Sequence, residues 1–195
     1  LASSSLSTAI QFTGEAAGDD AASVATGDVN GDGIDDIIVG ATYNDDAASG
    51  AGAAYAVLGS TTLASSSLST AIQFTVEAYA DIAGFSVSTG DVNGDGIDDL
   101  FLGAHLANPG GLGDAGQGYI IFGKKTAFAS NLNLSSLDGT NGFAIAGLTA
   151  SDQLGISVSS IGDFNGDGID DIVIGAHLGD NTTTNAGETY IVFGK

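Results

Sequence analysis

Cysteine is absent from the 195 residues, which excludes a disulfide framework and thiol chemistry. Cationic side chains are almost as scarce. Lys124, Lys125 and Lys195 stand against 24 aspartates and glutamates, for a net charge of −21. Phosphate binding needs Lys and Arg, so no nucleic acid partner is expected. An anionic membrane surface is disfavoured for the same reason. No apolar run is long enough to span a bilayer and no N-terminal signal is present, so no membrane insertion is expected. Helix signals are weak as well, because no 3.6-residue apolar stripe persists. Catalytic signatures are also missing: there is no His-Glu-x-x-His, no Cys/His cluster and no Gly-x-Ser-x-Gly elbow. The chain is therefore expected not to be an enzyme. His105 and His177, which occupy matching positions after Gly-Ala, read as loop-lining residues.

What is present is repetition. The hydrophobic content of 43% is that of a folded protein. Residues 1–13, LASSSLSTAIQFT, recur unchanged as residues 63–75, and residues 26–36, TGDVNGDGIDD, recur as 89–99. The first aspartates of three related acidic stretches fall at 28, 91 and 163. Three units are read over 1–195: 1–62, 63–125 and 126–195.

Each acidic stretch places oxygen-bearing side chains two residues apart, then a glycine at the sixth position and an aspartate at the ninth. Calcium takes six to eight oxygens at about 2.3–2.6 Å, and a tight loop supplies them from alternate positions with Gly at the bend. The ligands assigned in the first loop are Asp28, Asn30, Asp32, the backbone carbonyl of Ile34, and Asp36. The same reading gives Asp91, Asn93, Asp95, Ile97 and Asp99, then Asp163, Asn165, Asp167, Ile169 and Asp171, for three Ca2+ per chain. A metal-free Asp/Asn turn needs only one or two such residues. Four Asp and one Asn within nine positions would repel one another without a cation. Twelve of the 24 acidic residues lie in these loops, so the negative charge is concentrated where an ion can neutralise it. Asp35, Asp98 and Asp170, at the eighth position, are expected to point outward or to hold the loop by hydrogen bonds. An EF-hand is excluded, because its twelfth-position Glu is replaced by Val39, Leu102 or Ile174 and no helix pattern follows.

Four strand-like segments flank each loop. The first is Ala9 to Thr13, echoed by Ala71 to Thr75 and Gly142 to Ile145. The second runs into the loop: Ser23 to Thr26, Phe85 to Ser88, Ile156 to Ser159. The third is the apolar run after it: Ile37 to Val39, Leu100 to Leu102, Ile172 to Ile174. The fourth is Ala53 to Leu58, Gly118 to Phe122 and Glu188 to Phe193. Leu1 to Thr8 reads as a Ser-rich connector. Nearly continuous apolar runs suit sheets covered on both faces. Short strands repeated in this way suggest radial blades. Tyr43 to Gly52, Leu106 to Gln117 and Leu178 to Gly187 join the third and fourth strands, so they should share one rim, the expected binding surface. Tyr55, Tyr119 and Tyr190 recur in register and read as core or inter-blade packing.

With strand, acidic loop, strand ending in Gly-Ala and then a Gly-x-x-Tyr strand, the unit resembles the FG-GAP repeat, which forms the blades of the integrin α-subunit propeller and of many bacterial surface proteins. The Phe-Gly of the name is replaced by Asp20-Ala21, Ala83-Gly84 and Leu154-Gly155. The Gly-Ala-Pro becomes Gly40-Ala41-Thr42, Gly103-Ala104-His105 and Gly175-Ala176-His177. The resemblance implies an all-β propeller of four-stranded blades, three per chain, with calcium between the first and second strands and the outermost strand last. Residues 9–13 then form an outermost strand whose blade does not precede them, and residues 156–193 lack one. Three blades are too few to close a ring. A homodimer of six blades, completed by strand exchange at the seam, is the expected assembly, with a fragment of a longer propeller as the rival. The function implied is non-catalytic, extracellular or cell-surface scaffolding and adhesion through a protein or glycan ligand. The alternatives are an accessory carbohydrate- or lipid-binding domain of a secreted enzyme, or a designed or duplicated fragment without natural ligand.

Overall fold

The computed structural model describes residues 9–76, 78–180 and 183–195. Fourteen strands cover these residues, with three short 3-10 turns and no helix long and apolar enough to cross a membrane. The strands are β1 (Phe12–Thr13), β2 (Ala21–Gly27), β3 (Asp36–Ala41), β4 (Ala53–Val57), β5 (Ser66–Ser67), β6 (Ile72–Thr75), β7 (Ser86–Gly90), β8 (Asp99–Ala104), β9 (Gln117–Ile121), β10 (Asn131–Asn133), β11 (Gly142–Ala146), β12 (Leu154–Gly162), β13 (Asp171–Ala176) and β14 (Glu188–Val192).

The strands build three sheets in chain order. The first runs β2-β3-β4-β6, with β10 added in parallel outside β6. The second runs β7-β8-β9-β11, and the third β12-β13-β14. Within each sheet the consecutive strands are antiparallel. The fourth strand comes from the next repeat: β6 closes the first sheet by pairing Ala54 with Phe74 and Tyr55 with Gln73, and β11 closes the second. Among the described residues nothing pairs with the outer side of β14. β1 has only the two-residue β5 beside it, in parallel.

Alternation of side chains between the two faces of each sheet explains the near-continuous apolar runs. Leu100 and Leu102 of β8 face the first sheet, together with Ile38, Ala54 and Phe74. Phe101 between them faces the third sheet, with Ile120 and Ile172. Both sides of β8 are therefore core, and all six of its residues are buried. The innermost strands β2, β7 and β12 pack against one another in series.

Two details depart from the expectations above. The segment 63–70, whose copy at 1–8 reads as a connector, carries an anchor: Leu68 starts a 3-10 turn capped by Ser67 and is 1% exposed. Leu134 does the same in the next repeat, with Asn133 as cap. Residues 1–8 themselves lie outside the described part. The position of the repeat's Phe in the first unit is also one residue later than Asp20. Ala21 pairs with Ala41 as Leu154 pairs with Ala176, so Ala21-Ala22 holds the place of Leu154-Gly155. The β2 bulge skips one residue where that of β12 skips two, so the two repeats differ in length by one residue at this point.

Candidate metal centre

Each acidic loop leaves its inner strand after a glycine and re-enters the sheet at its ninth position, the first residue of β3, β8 or β13. Glycines at both the fourth and the sixth positions adopt left-handed backbone: Gly31 and Gly33, Gly94 and Gly96, Gly166 and Gly168. A side chain would strain either bend. The second of each pair is the bend expected from the loop pattern, and the first recurs equally often.

The bonding pattern repeats in all three loops. The first aspartate accepts from the backbone of the fifth and sixth residues: Asp28 from Asp32 at 3.1 Å and Gly33 at 2.8 Å, Asp91 from Asp95 at 3.1 Å and Gly96 at 2.8 Å, Asp163 from Asp167 and Gly168, both at 2.9 Å. The fifth-position aspartate accepts from the seventh-position N–H, that of Ile34, Ile97 or Ile169. The chain is thereby wound into a single turn around its own carboxylates.

The ninth-position carboxylate is the buried one. Asp36, Asp99 and Asp171 are each 0% exposed. Asp36 accepts from the Val29 N–H at 3.1 Å and from the Gly59 N–H, just past β4, at 2.7 Å. Asp99 accepts from Val92 and Gly123, and Asp171 from Phe164 and Gly194. One carboxylate thus ties the loop to the end of the third strand of its sheet. Burial pushes the Asp36 carboxyl above its ordinary range. Asp99 is pushed up to about 7, by burial first and then by the like charges of Asp95 and Asp91. Asn30 and Asn93 turn their amide nitrogens toward these carboxylates, whereas Asn165 donates to Asp167 at 2.9 Å.

Among the described residues, no group of three or more His, Cys, Asp or Glu side chains is drawn together as a ready-made cage. The assigned ligands of each loop share one turn, and their carboxylates are engaged with its N–H groups. The donor set nevertheless suits a hard cation. Every donor is oxygen, and each carboxylate oxygen that accepts one N–H keeps a second lone pair.

The eighth-position aspartates connect one loop to the next. Asp98 donates its N–H to the Asp28 carbonyl at 3.1 Å, and its carboxylate accepts the Asp28 N–H at 2.9 Å. The Asp170 N–H likewise reaches the Asp91 carbonyl at 3.1 Å. Ile97 packs on Gly31 and Ile169 on Gly94. The three loops therefore form a continuous row along one rim. Asp163 and Asn165, at the end of that row, are exposed where their counterparts are half-buried.

The opposite rim carries the three inserts, and these are partly structural. The Ala80, Ile82 and Ala83 N–H groups bond to the carbonyls of Ser49, Gly50 and Ala51, and Ser151, Gln153 and Leu154 repeat this on Gly113, Asp114 and Ala115. The first two inserts also leave side chains exposed, such as Tyr43 at 50% and Leu112 at 40%. His105 lines this rim at 8% exposure, its ring centroid 4.4 Å from that of Phe85 and tilted to it by 58°. Burial first, and then His177, hold its pKa below the ordinary histidine range. A second recurring acidic position went unnoticed in the sequence: Asp19, Asp81 and Asp152, all at most 5% exposed. Each precedes a residue in left-handed conformation, Asp20, Ile82 or Gln153. Their distance from the loop changes by one residue from unit to unit, so simple spacing does not reveal them.

The glycines explain why the repeat needs its two small motifs. A Cβ on Gly40 would overlap the Gly84 carbonyl, and one on Gly103 would overlap the Gly155 carbonyl. The glycine near the end of β3 or β8 is thus the seat for the glycine opening the next sheet.

Comparison with known proteins agrees with this geometry. The family model described as the FG-GAP repeat matches residues 21–57, 83–121 and 154–192. The chain is similar to integrin alpha-V of Gallus gallus, at 32% identity over 162 residues, 80% of this chain. It is similar to integrin alpha-5 of Xenopus laevis at 30% over 161 residues, also 80% of this chain, and to integrin alpha pat-2 of Caenorhabditis elegans at 32% over 185 residues, 89% of this chain. The chain spans 14% of the length of each of these relatives.

Proposed function

Because the chain belongs to the FG-GAP repeat family, we propose that it is a non-catalytic, calcium-stabilised propeller module serving adhesion or ligand binding outside the cell or at its surface. The observation that carries the calcium role is the recurrence, three times, of a wholly buried ninth-position carboxylate within one turn of two more carboxylates. Backbone N–H groups meet part of its hydrogen-bonding capacity. They do not cancel its charge, and burying an uncompensated charge is costly. A divalent ion held by Asp28, Asn30, Asp32, the Ile34 carbonyl and Asp36, and by the matching residues of the other loops, would supply the missing positive charge. Similarity to integrin α subunits supports the adhesive role, and the free parts of the inserts are the surface on which a protein or glycan ligand would rest.

The mechanism is linkage. An ion that binds the wound loop and not the unfolded chain stabilises the fold by RT ln(1 + [L]/Kd) at each site. The ion would hold the first and second strands of each sheet together at the loop rim. Calorimetric titration of the metal-stripped chain with calcium should count three ions. Asp32→Ala, Asp95→Ala and Asp167→Ala should each remove one. Titration without heat, or variants that bind as many ions as the parent, would overturn the proposal.

A further inference from the structure

The three acidic loops touch one another, and the contacts fall on or beside the residues assigned to hold the ions. Loop two (91–99) meets loop one (28–36) at four points. The Asp98 N–H donates to the Asp28 carbonyl at 3.1 Å, and the Asp28 N–H donates to the Asp98 carboxylate at 2.9 Å. The first-position aspartate of loop one is thus held by its backbone on both sides. The Ile97 side chain lies against Gly31, and Lys124 donates its N–H to the Val29 carbonyl at 3.1 Å. Lys124 follows Gly123, whose N–H is held by Asp99 at 2.9 Å. Ile97 and Asp99 are the seventh- and ninth-position ligands of loop two, so what winds loop two also bears on loop one.

Loop three (163–171) meets loop two at matching points, with one difference. The Asp170 N–H donates to the Asp91 carbonyl at 3.1 Å, Ile169 lies against Gly94, and the Lys195 N–H reaches the Val92 carbonyl at 3.0 Å. The Asp170 carboxylate, however, is turned to the Ser160 hydroxyl at 3.3 Å, within its own sheet. Asp98 therefore grips the neighbouring loop with its side chain, and Asp170 does so only with its backbone.

Resting on the calcium reading above, we propose that the loops load calcium as a coupled row, and that Asp98 is the positioning residue that carries the order of loop two into loop one. With loop two wound tight, Asp28 is already fixed, and less ordering remains to be imposed when loop one takes its own ion. Linkage makes the effect mutual, so whatever factor loop two lends to loop one is lent back. Charge works in the other direction, because cations in neighbouring loops repel. That repulsion is screened over about 8 Å at physiological ionic strength and about 3 Å in 1 M salt. Hydrogen bonds between the loops are local, so high salt isolates their part.

The test follows each loop separately in the full chain. The N–H groups of Gly33, Gly96 and Gly168 donate to the first carboxylate of their own loops. Their resonances in a two-dimensional NMR spectrum therefore report the loops one by one as calcium is added in about 1 M potassium chloride. Asp95→Ala, which empties loop two, should raise the calcium midpoint of loop one about fivefold or more, the low end of usual coupling. Asp32→Ala should raise that of loop two by the same factor. Asp98→Ala leaves every assigned ligand in place and should still raise the midpoint of loop one. Asp98→Asn loses the charge but keeps an oxygen for the Asp28 N–H, and should restore most of the parent's midpoint. Asp170→Ala should leave loop two at the parent's midpoint. In chelator, the Asp28 amide should exchange with deuterium faster in Asp98→Ala than in Asp98→Asn. A loop one indifferent to Asp95→Ala, or one weakened equally by Asp98→Ala and Asp98→Asn, would overturn the coupling and leave three calcium sites standing. Glycine resonances of the parent that ignore calcium would overturn the calcium reading, and the coupling with it. The Asp32 and Asp95 variants decide the coupling by themselves if Asp98→Ala does not fold.

Discussion

A methyl group added to Gly103 would occupy the space of the Gly155 carbonyl, backbone that cannot rotate away. The same addition at Gly175 meets first the hydroxyl of Ser157, a side chain that can turn. Overpacking of a filled site costs about 1–3 kcal/mol. Gly103→Ala should therefore lower the urea midpoint clearly, and Gly175→Ala should lower it much less; equal effects would show that the inter-sheet seat is not the reason for the glycine. Chemically equivalent residues in equivalent repeats thus differ in consequence according to whether a neighbouring sheet lies against them. The acidic residues divide in the same way. Position nine is buried and ties the loop to its own sheet, position eight ties it to the loop before, and positions one and five wind the turn.

At the scale of the element, the unit of folding is offset from the unit of repetition. Each of the first two sheets takes three strands from one repeat and the fourth from the next, so neighbouring repeats are stitched together by main-chain pairing as well as by side chains. The short 3-10 turn ahead of that fourth strand belongs to the stitch. Leu68 reaches back onto the preceding sheet, where it is buried among Val39, Ala53 and Tyr55. Truncating such a side chain removes its burial and leaves a cavity, at about 2–5 kcal/mol. Leu68→Ala should accordingly destabilise the chain in a denaturant titration, whereas Leu58→Ala, already 40% exposed, should change it by no more than about 0.5 kcal/mol. The first two inserts on the opposite rim serve two purposes as elements: their later residues clamp the next sheet, and side chains such as Tyr43 and Leu112 are left exposed.

For the molecule as a whole, stability is a sum over sheets and the contacts between them, with electrostatic repulsion set against it. Three divalent ions would take the net charge from −21 to about −15. At a tenfold excess of calcium over Kd, each site adds about 1.4 kcal/mol. Three sites together add about 4 kcal/mol, or roughly 10 °C in Tm for a chain of this length. Chelator should therefore lower the melting temperature by about that much, and calcium should restore it; a melting curve indifferent to chelator would refute the linkage.

The order of the strands, the acidic turns between the inner pairs, and the likeness to integrin-type blades were all legible in the chain itself. They depend on local rules: alternation of side chains, the bends that only glycine adopts freely, and oxygen donors at every second position. The tertiary structure alone decided which side chains become buried by a neighbour. It made Leu68 an anchor and not part of a connector, gave Asp98 a partner in another loop, paired Gly40 with Gly84, and left Ile191 bare where Ile120 is covered. Those outcomes depend on contacts between residues tens of positions apart. No local pattern encodes them, because the same short sequence is core beside one sheet and surface at the end of the row.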